Sequence, residues 1–155
     1  METLEIQLLD KWFKTIDQKQ RLYKRKWWPN LNEAKNIAAH CNKEQPLWFM
    51  DIGTGNGVTA SYVAAMGFRV VTFDPVDRPK VYLDETFPLR NLHKLITFVN
   101  QPIEDSMNYW ISSDKIVWSI AGFSGEKSKA AYLRTIRRIG NKGDLIFLNG
   151  AIERI

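Results

Sequence analysis

Leu47-Trp48-Phe49-Met50-Asp51-Ile52-Gly53-Thr54-Gly55-Asn56-Gly57-Val58 decides how this chain is read. The first residues are apolar without alternation, as in a central parallel strand covered on both faces. Glycines at every second position then let the backbone turn sharply and approach a ligand where a Cβ atom would intervene. A strand running into such a turn and then a helix builds a nucleotide-sized site.

The spacing narrows the choice. A dinucleotide fingerprint needs a third glycine three residues after the second, where Val58 stands, and this disfavours a nicotinamide dehydrogenase. Downstream, a helix from Val58 to Met66 and a turn at Gly67 lead to the β-branched and aromatic run Arg69-Val70-Val71-Thr72-Phe73, which ends at Asp74-Pro75. An acid about 20 residues past the glycines is placed to accept hydrogen bonds from ribose hydroxyls, and the proline beside it ends the ladder.

Asp51-x-Gly53-x-Gly55-x-Gly57, with Asp74 after the second strand, resembles the first motif of class I S-adenosylmethionine-dependent methyltransferases. The resemblance covers most of Trp48 to Leu148. It implies an α/β Rossmann-like fold, a mostly parallel sheet flanked by helices, with S-adenosyl-L-methionine as cofactor. Asp51, Gly53, Thr54, Gly55, Asn56 and Gly57 would then line the methionine and ribose moieties, and Asp74 and Pro75 the ribose. Asp51 has a second reading, since a carboxylate beside a glycine turn can hold that turn by accepting backbone amides. Gln101 and Ile103 stand where the family contacts adenine, with Pro102 where it usually has an aspartate. Glu104 and Asp105 read as first-turn helix residues. Ser119, near the end of the fourth strand, joins the cofactor-lining set.

Acceptor signals are sparse. The stretch from Trp118 to Ser124 lacks the tetrad of amino-group DNA enzymes, the Pro-Cys of cytosine-C5 enzymes and the aspartate of ribose 2′-O enzymes. Only Glu126 stands where protein arginine enzymes carry paired glutamates. Cys41 reads as a small packed residue. His40, His93 and Asp77 have packing or surface explanations, so no catalytic base is named.

Five strands are expected, at 47–51, 69–73, 95–99, 115–120 and 144–148, preceded by an amphipathic helix from Leu4 to Ile16 and a second from the capping pair Asn30 and Glu33 through Ala39. In 155 residues this makes one domain, with N-terminal helices over 1–45 and a Rossmann-like core over 46–150. The family's sheet continues beyond strand five, whereas seven residues follow Leu148 here. The expectation is a sheet truncated after the fifth strand, its apolar edge covered by a second copy in a homodimer or by the N-terminal helix. The size suits a minimal viral form.

Lys and Arg number 22 and Asp and Glu 17, a net charge of +5. Such a balance favours an acidic partner. Lys19, Arg21, Lys24, Arg25 and Lys26, interleaved with Tyr23 and followed by Trp27 and Trp28, combine phosphate neutralisation with base stacking. A second set, Lys127, Lys129, Arg134, Arg137 and Arg138, reads as the solvated face of a helix. One cysteine permits no internal disulfide, and no secretory or membrane-length apolar segment appears, so an intracellular, cytoplasmic setting is expected, the host cytoplasm for a viral protein. The reading is a methyltransferase acting on nucleic acid. A protein acceptor, or a non-catalytic cofactor-binding regulatory or scaffold module, is the alternative.

Overall fold

The computed structural model describes residues 3–19, 31–53, 57–73, 86–99, 115–120, 125–148 and 150–155. Its order is α1 (Leu4–Lys19), α2 (Leu31–Glu44), β1 (Trp48–Ile52), α3 (Val58–Ala65), β2 (Arg69–Phe73), a short 3₁₀ turn (Leu92–Lys94), β3 (Ile96–Val99), β4 (Ile116–Ile120), α4 (Gly125–Ile139), β5 (Leu145–Leu148) and β6 (Ala151–Arg154).

The strands form one sheet in the order β3-β2-β1-β4-β5-β6, parallel except for β6. Successive residues of each central strand serve opposite faces. Phe49, Val70, Val117 and Phe147 enter one core with α1, α2 and α3. Met50, Val71, Trp118 and Ile146 enter the other, closed by Ile136 of α4. Burial on both sides explains why these strands read as unbroken apolar runs. The same logic applies to α3, whose residues Val58 and Ala60 through Ala64 are all buried between sheet and helices.

The first helix forms, running from Leu4 to Lys19. Leu4 and Leu8 are exposed, and the buried stripe is Ile6, Leu9, Trp12 and Phe13. Aromatic contacts fix that rotation: Phe13 stacks on Tyr62 at 5.9 Å, and Trp12 meets Phe87 edge-on while its indole donates to Thr86 Oγ1 at 2.9 Å. Asp10 pins the same face to α3 and α2, accepting from the Tyr62 hydroxyl at 2.8 Å and from Lys35 at 3.3 Å. Partial burial pushes the Asp10 carboxyl up, but the Tyr62, Lys14 and Lys35 bonds outweigh it and hold the carboxyl below its ordinary value.

The sheet does not stop at strand five. Ala151–Arg154 folds back antiparallel on β5, pairing Leu148 with Ala151 and Leu145 with Arg154. Gly150, at φ 88°, occupies the left-handed region the two-residue turn needs. The bare edge that motivated a shared-edge dimer is therefore covered by the chain itself, with a strand that is short, exposed and charged at Glu153 and Arg154. The N-terminal helix is not the cover either, since α1 packs on α3.

Candidate functional site

Register levels the carboxyl ends of all five parallel strands. Val99 lies beside Phe73, Phe73 beside Ile52, Ile52 beside Ile120, and Ile120 beside Leu148. Strand order reverses between β1 and β4, since the chain runs outward from β1 through β2 to β3 and then returns to β1's other side. Ligands of open α/β sheets sit outside the carboxyl ends at such a switch point. The Gly53-to-Gly57 turn leaves β1 at that place.

Both ends of the turn are left-handed, Gly53 at φ 88° and Gly57 at φ 78°, which a side chain would resist. The Gly53 amide donates to Phe73 O at 2.8 Å and ties the start of the turn to β2. At the other end the Gly57 carbonyl accepts both the Ser61 amide at 3.0 Å and the Ser61 hydroxyl at 2.6 Å. Gly57 is the N-cap of α3 and brings no side-chain cap. The first amides of α3 thus receive no bond from their own cap residue and suit a ligand carboxylate. Glycine-lined backbone and helix amides at a switch point fit the amino-acid end of S-adenosylmethionine.

Below the rim lies a polar row in an apolar sheet. Thr72 and Ser119 are the register partners of Asp51 on either side, and all three are buried. Alternation places them on the α1–α3 side, two residues after Val70, Val117 and Phe49. The Thr72 hydroxyl donates to Asp51 Oδ2 at 2.9 Å, so one carboxylate oxygen is oriented by the neighbouring strand. Asp51, Gly53, Gly57 and Ser119 are brought together at the carboxyl end of the sheet. Thr54, Gly55, Asn56, Asp74, Pro75, Gln101 and Ile103 lie outside the described residues. So does the basic-aromatic segment beyond Lys19, where α1 ends.

Thr72 and Ser61 were missed by the sequence reading, although a hydroxyl residue among the buried apolar positions of β2 and of α3 was a signal for them. Cys41 is fully buried; burial, reinforced by the Glu44 carboxylate, pushes its thiol up to about 12, which removes it as a nucleophile at neutral pH. His40 spends Nδ1 on the Asn36 carbonyl at 2.9 Å and sets its ring edge-on to Phe147, a packing role. Among the described residues no group of His, Cys, Asp and Glu is arranged to hold a metal, and no helix is long and apolar enough to cross a membrane.

Solved structures share this architecture. A Klebsiella pneumoniae protein classed as an O-methyltransferase matches with a TM-score of 0.67 at 17% identity, over 90% of this chain and 63% of that one. An O-methyltransferase from Bacillus cereus, in complex with SAH, matches at 0.65 and 15%, over 90% and 64%. A Geobacter sulfurreducens methyltransferase matches at 0.63 and 17%, over 96% and 72%. The fold is that of these methyltransferases. This chain spans less than two thirds of the length of the first two. No protein-family model and no curated protein matches it.

Proposed function

We propose that the protein binds S-adenosylmethionine at the Gly53-to-Gly57 turn and transfers its methyl group to nucleic acid. The observation that carries the first half is the pair of left-handed glycines at the switch point, Gly53 and Gly57, the second being the N-cap of α3 and bringing no side chain to it, in a fold shared with a methyltransferase solved with SAH. When bound, the cofactor supplies a methyl group already activated on a sulfonium. The chain's task is then to hold and align the reactants and to keep water out, worth up to about 7–11 kcal/mol of the barrier. Gly53 and Gly57 give close backbone approach, α3 amides hold a carboxylate, and the Thr72–Asp51 pair fixes the floor beneath.

The acceptor half is supported by the net charge of +5 and by the basic-aromatic segment Lys19 to Trp28. The test is incubation with methyl-labelled cofactor and, separately, total RNA, DNA and protein, alongside a melt with S-adenosylhomocysteine. Label in RNA or DNA is the expected result, with a stabilisation of about 2.7 kcal/mol at a hundredfold excess of ligand over its dissociation constant. Label in protein would overturn the acceptor. A melt raised by NADH and unmoved by S-adenosylhomocysteine would overturn the cofactor.

A further inference from the structure

The protein's positive charge is unevenly distributed. Residues 127–143 hold six Lys or Arg and no Asp or Glu, so the remaining 16 cations and 17 acids leave the rest of the chain at −1. Elsewhere the described cations are often spent on structure: Lys14 and Lys35 on Asp10, Lys115 and Arg154 on Glu44, and Arg69 over the Trp48 ring. Among the described residues Arg134, Arg137, Arg138 and Lys142 are exposed and make no ion pair.

Their placement is ordered by α4. Ile136 is wholly buried against the sheet, and Arg134 and Arg138, two residues to either side of it, fall on the opposite face. Together with Ala131 and Thr135, on the same face of the helix, they border an open surface recess of about 430 Å³. The helix starts at Gly125, just beyond the carboxyl end of β4, and Arg134 is about 14 Å along its axis. From that rim α4 runs back toward the amino ends of the strands, where β5 begins, so the arginines lie in its second half and a polyanion on them reaches the glycine turn by following the helix back to its start.

We infer that the arginine face of α4, Arg134, Arg137 and Arg138, is a docking surface for the phosphate backbone of a single-stranded nucleic acid. The inference rests on the acceptor reading above and deepens it. It replaces the solvated-face reading of these residues, because the run 127–143 carries six cations and no acid, and these arginines make no ion pair among the described residues. Ala131 and Thr135 between them leave room for a phosphate to approach the guanidinium groups, which bind it through paired N–H donors.

The test is anisotropy of a fluorescein-labelled single-stranded RNA titrated with the whole chain over about 50–200 mM salt. Arg134→Ala/Arg137→Ala/Arg138→Ala should weaken binding and reduce the slope of log affinity against log salt by about 2, at roughly 0.7 per lost phosphate contact. Lysine at all three positions should restore most of the slope. A control, Lys11→Ala/Lys43→Ala/Lys94→Ala, removes the same charge from other exposed positions and should leave the slope unchanged. Melting temperature verifies that each variant is folded. An unchanged slope in the arginine variant, or an equal drop in the control, would overturn the docking surface while the acceptor reading stands. Salt-sensitive binding to anionic phospholipid vesicles, lost in the arginine variant while RNA binding is intact, would overturn it in favour of a membrane. No RNA or DNA retention by the parent protein would overturn the docking surface, whereas label appearing only in protein separately overturns the acceptor.

Discussion

Thr72→Val is the sharpest probe of the floor of the site. Valine keeps the β-branched shape that suits a strand and removes only the hydroxyl that donates to Asp51 at 2.9 Å. Asp51 is 2% exposed, so water cannot replace the lost donor. A hydrogen bond to a charged group is worth about 1.5–3 kcal/mol. For a domain of this size each kcal/mol moves the melting temperature by about 2–4 °C, which gives an expected drop of roughly 3–12 °C. Thr72→Ser, which keeps the hydroxyl and gives up one methyl, should cost about 1 kcal/mol and separate the bond from packing. Tryptophan fluorescence follows the melt, first alone and then with S-adenosylhomocysteine, and the ligand-induced rise should be smaller in Thr72→Val than in Thr72→Ser. Thr72→Val melting at or above the parent temperature would refute the claim that this hydroxyl holds the carboxylate.

Two further outcomes are expected. The Glu44 carboxyl is held below its ordinary value by Lys115 and Arg154, so its contribution is full above the unfolded-state value and is lost as pH falls through the lowered folded value; Glu44→Gln should therefore flatten the acid limb of the stability-versus-pH curve, measured by urea unfolding. Cys41, buried with its thiol near 12, should resist alkylation by iodoacetamide at neutral pH in the folded protein and react after denaturation, as mass spectrometry would show.

The five parallel strands were legible because burial on both faces leaves long apolar runs, and each boundary lies within one residue of its expected place. Helix α2 runs to Glu44 rather than stopping at Ala39, since its last turn is polar and its end is fixed from outside by Lys115 and Arg154 binding Glu44. Strand β6 escaped the reading because Ala151-Ile152-Glu153-Arg154 has no apolar run. Its signal was the turn: Asn149-Gly150 is a strong two-residue hairpin dipeptide, and it sits directly after the β5 run. Asp144 shows the opposite limit. It read as the start of a strand, yet it is buried and accepts from the Asn141 amide at 2.8 Å and the Trp118 indole at 3.3 Å. That role depends in part on Trp118, 26 residues away in sequence, which no local pattern encodes. In the site, the glycine turn was legible from spacing alone, whereas the Thr72–Asp51 bond needed the register of two strands.

The level ending of the five parallel strands has a consequence for how this scaffold can change. Because Val99, Phe73, Ile52, Ile120 and Leu148 finish in one row, the segments that leave them all start from the same platform. The ladder beneath is closed before any of them begins. A segment leaving Val99, Phe73, Ile52 or Ile120 can thus be lengthened, shortened or exchanged without moving a parallel strand, since insertions in surface connections cost little loop entropy, whereas the two-residue turn after Leu148 sets the pairing of β6. The sheet acts as a fixed keel, and the rim above it can be altered one connection at a time.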